Sequence, residues 1–244
     1  MRKYLAPVFF FLALLTNSCG AATPTLKPPP PVAFSESQSG QNVARDNRSR
    51  ASYSQNIRFE HFSLEEGLSQ STAPVIFQDS KGFLWIGTED GLNRYDGYNF
   101  KIYKPNTDDP NSLTDRWITA LAEDPKGNLW VGTRLGGLNR YDPKTGKFTH
   151  LLYSSTNSEG ISHNNITALS ADKDGIWIGT KNGLDYLDYD SQKIEHYRAS
   201  SINPNSLSGN WISAIIQDAN GNLWVGTQDA GLNFYDKAKN AFFV

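Results

Sequence analysis

From residue 57 onward the apolar residues come in short runs of roughly five, broken by Gly, Asn, Asp and Pro, and not at helical spacing. One stretch serves as the pattern. Trp117–Ala122 reads as a first strand, Leu129–Thr133 as a second, Gly137–Tyr141 as a third and Phe148–Tyr153 as a fourth. Between the first two lies a turn, Glu123–Gly127, whose Asp and Gly suit a tight reversal. Strands this short, joined by turns this tight, make a small antiparallel sheet.

The same sheet is written four times. Trp-Ile/Val-Gly-Thr begins at Trp85, Trp130, Trp177 and Trp224, at intervals of 45, 47 and 47 residues. An Asp-x-x-Gly word precedes each copy, at Asp79, Asp124, Asp172 and Asp218. A Gly-Leu-Asn/Asp word follows, at Gly91, Gly137, Gly183 and Gly231. A period of about 40–50 residues is that of a propeller blade. The expected fold is therefore all-β, a β-propeller of four-stranded antiparallel blades with four blades present. The repeated residues should build blades: Trp85, Trp130, Trp177 and Trp224 packed between sheets, Asp79, Asp124, Asp172 and Asp218 in turns, and Gly87, Gly132, Gly179 and Gly226 allowing close backbone approach or a kink within a strand.

The count at the two ends is uneven. Ile57–Phe62 resembles the fourth strands Phe100–Tyr103, Phe148–Leu151 and Ile194–Tyr197, and is expected to be a leading fourth strand. In a closed ring it would complete the last blade, yet Ala241–Val244 looks like the same strand. The expectation is an incomplete portion of a larger propeller, with a closed ring of four as the alternative. An open arc would leave an apolar blade face uncovered.

Residues 1–19 read as an export signal: Arg2 and Lys3, then an apolar run from Leu5 to Leu15, too short to span a bilayer comfortably. The run ends at Thr16-Asn17-Ser18-Cys19, which resembles a lipobox with Cys19 as the lipidated residue, although Thr16 stands where Leu is usual. The alternatives are an ordinary cleaved signal and a retained anchor. Residues 20–56 form a Pro/Ser-rich linker with too little apolar surface to offset ordering entropy. The folded region is then 57–244, outside the cytoplasm, periplasmic or on the envelope.

Composition adds exclusions. A net charge of −2 gives no footprint for nucleic acid, and a single cysteine excludes an internal disulfide framework. His61, His150, His163 and His196 are scattered and read as surface or edge residues, so no metal centre and no cofactor is expected. Asp172-Lys173-Asp174-Gly175 resembles the start of a calcium loop but lacks the twelfth-position glutamate. No nucleophile elbow or phosphate loop is present, and no catalytic residue is expected.

Positions that vary between copies are better candidates for binding, since they are not needed to build a blade. The loops after the Gly-Thr pair carry Glu89, Arg134, Lys181 and Gln228. At the head of each first strand stand Thr72, Trp117, Asn165 and Trp211. Innermost strands line a propeller's channel, so Trp117 and Trp211 would offer indole faces to a ligand, with Asn165 and the loop residues supplying directional bonds. The plainer reading is that both indoles fill gaps between blades and the loops are solvated.

Asp-x-x-Gly-x-Leu-Trp-Val-Gly-Thr followed by Gly-Leu-Asn-Arg-Tyr-Asp resembles the two-component regulator propeller repeat of periplasmic sensor regions in bacterial hybrid histidine kinases and related receptors. The likeness covers 57–244. The third copy departs, with one residue fewer before Trp177 and Tyr186-Leu187 in place of Arg-Tyr. The resemblance implies an extracytoplasmic propeller of about seven blades that binds a glycan or other small ligand and works with a signalling partner or a C-terminal transmitter domain. The function expected is non-enzymatic ligand sensing. The alternatives are an envelope protein-interaction scaffold and, behind it, a propeller lyase or hydrolase.

Overall fold

The computed structural model describes residues 60–156 and 159–244; the expected signal 1–19, Cys19, the linker 20–56 and Ile57–Phe59 lie outside them. Among the described residues sixteen strands make four sheets. The first holds β1 (Val75–Gln78), β2 (Leu84–Thr88), β3 (Gly91–Tyr95) and β4 (Phe100–Tyr103). The second holds β5 (Ile118–Glu123), β6 (Leu129–Thr133), β7 (Leu138–Asp142) and β8 (Lys147–Leu151). The third holds β9 (Ile166–Ala171), β10 (Gly175–Thr180), β11 (Gly183–Asp188) and β12 (Ile194–Tyr197). The fourth holds β13 (Ile212–Gln217), β14 (Leu223–Thr227), β15 (Leu232–Asp236) and β16 (Ala241–Phe243). In each, chain neighbours pair antiparallel, so every blade is a simple meander.

The Asp-x-x-Gly word ties a turn to a tryptophan. Asp79 accepts the amides of Lys81 and Phe83 and, 2.7 Å away, the indole N–H of Trp85. Asp124 does the same for Lys126, Asn128 and Trp130, and Asp218 for Asn220, Asn222 and Trp224. Gly82, Gly127 and Gly221 have φ of 89°, 79° and 79°, which only glycine adopts without strain. The third turn is one residue shorter, and Asp172 accepts the amides of Asp174 and Gly175 instead.

Blades meet through the second word. A Cβ on Gly87, Gly132 or Gly179 would stand 2.6, 2.6 and 2.8 Å from Cγ2 of Ile118, Ile166 and Ile212, the isoleucines that open the first strand of the following sheet. Three apolar clusters fill the three interfaces, each joining one sheet's tryptophan and Gly-Leu leucine to the next sheet. Backbone bonds stitch the same junctions: Gly91, Gly137 and Gly183 donate to the carbonyls of Arg116, Asn164 and Asn210.

The arc is open. Leu92, Leu138 and Leu184 are 0% exposed beneath the next sheet, whereas Leu232, their counterpart in the fourth, is 54% exposed. Ile76 on the first sheet and Ile216 on the last are each 64% exposed. The four sheets therefore do not close on one another.

The expected leading strand needs correction. Glu60–Phe62 are not in a strand, and the outer place of the fourth sheet is taken by its own β16. Phe62 instead rests on Tyr95 and Phe100 with ring centroids 4.9 and 5.7 Å apart. Tyr103 sits likewise on Tyr141 and Phe148, and Tyr197 on Tyr235 and Phe242. The segment keeps the aromatic contact of a fourth strand without its ladder, because no third strand lies beside it among the described residues.

The glycine contacts make a measurable contrast. Gly132→Ala is expected to lower unfolding free energy by about 1–3 kcal/mol through overpacking against Ile166. Gly226→Ala meets no following sheet, only Ser213 and Ala214 of its own, and should cost less than about 0.5 kcal/mol. Urea melts that gave equal losses would contradict this account of the interfaces.

Candidate functional site

The threonine of each Trp-x-Gly-Thr word holds the loop that follows it. Thr88, Thr133, Thr180 and Thr227 donate to the carbonyls of Gly91, Gly137, Gly183 and Gly231 and accept an amide from within the loop. The first loop residue then pairs with the head of the same blade's first strand. Arg134 donates its amide to Trp117, Lys181 to Asn165 and Gln228 to Trp211, at 3.0, 3.3 and 2.8 Å. Sequence positions far apart thereby meet in pairs at one end of the blades.

One of these pairings becomes a cation–π contact, and a second such contact forms across blades. The Arg134 guanidinium lies 3.9 Å from the Trp117 ring centre, within one blade. The Lys181 ammonium lies 4.5 Å from the Trp211 ring and reaches it from the preceding blade. Such contacts contribute about 0.5–1 kcal/mol at exposed sites. Asp115 fixes the first pair by accepting the amides of Trp117 and Leu135. Trp211 is 42% exposed and Trp117 half-buried, so each indole keeps part of its surface open while one face carries the chain's own cation.

The remaining candidates fall differently. Asn165 is buried, and its carbonyl, accepting from Lys181, is the group the loop uses. Gln228 is exposed and Glu89 half-buried. Beside Glu89, Asp90 pairs with Lys104 at 2.6 Å and with Arg116 of the second blade at 3.7 Å.

One group escaped the sequence reading. In three blades the Gly-Leu-Asn asparagine is buried and accepts an amide from the segment before the first strand: Ser69, Thr114 and Ser208 give theirs to Asn93, Asn139 and Asn233. In the third blade Asp185 takes this place, fully buried, accepting the Ser162 amide and hydroxyl. Its carboxylate also meets His196 Nδ1 at 2.7 Å, while Arg198 donates to the Ser162 hydroxyl. This is not a nucleophile triad. The Ser162 hydroxyl donates directly to the carboxylate at 2.6 Å, and His196 meets both through the same nitrogen, Nδ1, 2.7 Å from Asp185 and 3.2 Å from the Ser162 oxygen, so the imidazole does not relay between them. The signal was present as a single Asn-to-Asp change in one repeat. The other histidines are modestly placed: His61 is exposed, His150 Nε2 lies 2.7 Å from the Ser112 carbonyl, and His163 accepts the Asn165 amide. Among the described residues no three His, Cys, Asp or Glu side chains converge as a metal site.

The model of the two component regulator propeller matches residues 67–90, 112–134, 160–182 and 206–229, one match per blade. A 59-residue stretch is 49% identical to a histidine kinase P4 of Formosa agariphila, covering 24% of this chain and 4% of that protein. The extracellular domain of a putative hybrid two component system from B. thetaiotaomicron superposes with a TM-score of 0.57 at 27% identity, over 75% of this chain and 31% of that one. A second extracellular domain from the same organism, of a putative one component system, gives 0.56 at 26% identity, over 70% and 25%. A virginiamycin B lyase of Staphylococcus aureus shares the fold, with a TM-score of 0.50 at 16% identity. The chain thus spans under a third of each of these two extracellular domains. With the model matched once in every sheet, this chain carries four two-component regulator propeller repeats, folded as successive β-propeller blades.

Proposed function

We propose that this chain is a ligand-binding propeller segment of an extracytoplasmic sensor, acting by binding and not by catalysis. The observation that carries the reading is the pair of capped indoles, Trp117 with Arg134 and Trp211 with Lys181, at one end of consecutive blades. A flat apolar ring beside a fixed cation suits a polyhydroxylated ligand, which stacks its apolar face and hydrogen-bonds its rim. The likeness to two extracellular sensor domains supports the same role. Export and anchoring belong to this proposal: the segment 1–19 directs secretion, Cys19 takes the lipid, and 20–56 spaces the blades from the membrane. Signal output passes to a partner or to a transmitter domain.

Two measurements test it. In a thermal-shift screen of oligosaccharides and small metabolites, a ligand at about 100 times its Kd adds about 2.7 kcal/mol to stability. That shift should vanish in Trp117→Ala and Trp211→Ala; a shift unchanged in both variants would refute this site. Cys19→Ala should move the protein from the detergent-extracted membrane fraction to the soluble one, and retention in the membrane would refute lipid anchoring.

A further inference from the structure

The opposite end of the blades, where the Asp-x-x-Gly turns lie, holds a cavity of about 480 Å³ between the third and fourth sheets. Its counterpart between the first and second sheets measures about 70 Å³. Comparison of the two shows what has changed. In the smaller slot the chain supplies its own cations. Arg94 lies 4.7 Å from the Phe83 ring and 5.9 Å from Trp85, and Lys81 is in the wall; Lys101, beside the slot and not in its lining, lies 5.0 Å from Tyr103.

In the third blade all three cations are gone. Tyr186 faces Trp177 across the ladder where Arg94 faces Trp85. Glu195 pairs with Tyr186 where Lys101 pairs with Arg94. Asp174 replaces Lys81, and the residue matching Phe83 is deleted. The aromatic wall survives as Trp177, Tyr197 and Tyr235, matching Trp85, Tyr103 and Tyr141.

A second, independent feature points the same way. In the other blades the repeat tryptophan donates its indole N–H to the first aspartate of the turn. Trp177 is only 6% exposed and lines the cavity, yet its N–H has no acceptor among the described residues. Asp172 has turned away to the amides of Asp174 and Gly175, the Tyr186 hydroxyl and Gln217. The nitrogen is not among the polar atoms sealed from solvent, so the N–H opens onto the cavity and is free to donate to a guest.

We infer that this cavity binds a small organic cation, an ammonium or guanidinium whose charge the Asp174 and Glu195 carboxylates take and whose hydroxyl or carbonyl oxygen accepts the Trp177 N–H. Aromatic walls and carboxylates together favour such a cation. The rim keeps its negative balance. Asp188, held below the usual carboxylate range by the Ser191 amide and hydroxyl, and Asp236, held down by Lys239, stay ionised at neutral pH. Lys237 also lines the cavity, Lys173 stands 3.7 Å from Asp174, and Lys239 is bound to Asp236 at 2.8 Å. A bare metal ion does not fit, since no three ligands converge among the described residues.

The test is isothermal titration of the full chain with argininamide, with its neutral analogue citrullinamide, and with an acetylated Gly-Arg-Gly amide that presents the same guanidinium on a peptide. Argininamide or the peptide should bind and citrullinamide should not; whichever of the two binds more tightly identifies the source of the cation. Asp174→Lys with Glu195→Lys restores the charges of the first blade at two exposed positions, and should weaken binding at least about tenfold with the melting temperature preserved. Trp117→Ala should leave it unchanged, which separates this site from the indole pairs at the other end. No binding of either cation, equal binding of citrullinamide, or full binding by the doubly substituted chain would overturn the inference.

Discussion

Each sheet accepts its neighbour at a point where a side chain would not fit. The glycine of Trp-x-Gly-Thr leaves a gap in the second strand, and an isoleucine from the next sheet enters it. On either side of that contact the tryptophan and the Gly-Leu leucine are sealed from water, so burial of large apolar groups and close backbone approach act at one place. The aspartate and threonine of the repeat serve this junction indirectly. One fixes the turn that presents the tryptophan, and the other fixes the loop whose glycine is bonded to the following blade.

The same geometry explains the ends of the arc. A blade buries its leading face against the one before it and its trailing face against the one after. Where no sheet follows among the described residues, Leu232 and Ile216 stand in solvent, and where none precedes, Ile76 does. Phe62 covers part of the leading face of the first blade through Tyr95 and Phe100. Its place matches that of Tyr103 and Tyr197 at the inner junctions.

The repeat made the fold legible, because residues required by every blade recur in every copy. Sheet number and strand order could be read without coordinates, but not that the aspartate would hold the indole N–H or that the glycine would admit an isoleucine side chain. Glu60–Phe62 could not be placed, since a strand exists only beside a partner and the sequence does not show which partner is there. At the candidate site, Trp117 and Arg134 were legible as neighbours of one end, but not that the guanidinium would lie on the ring. The contact between Lys181 and Trp211 crosses blades, so it depends on how the sheets fan apart. Asp185 was hidden for another reason: Asp for Asn is a small change in writing and a large one in chemistry, and only burial reveals it. The missing residue before Trp177 was visible, while the cavity and the open indole N–H that accompany it were not.

Differences between copies thus fall at two ends of an otherwise constant scaffold, with capped indoles at one and an acidic, aromatic cavity at the other. All of this rests on the blades being held together through the glycine and isoleucine junction. A double-mutant cycle measures that junction directly, combining Gly132→Ala with Ile166→Ala and, as a distant control, with Ile212→Ala. The account predicts that the first pair couples by about 1 kcal/mol or more, trimming the isoleucine having made room for the added methyl, while the control pair adds within about 0.5 kcal/mol. Simple additivity in the Gly132 and Ile166 pair would contradict it.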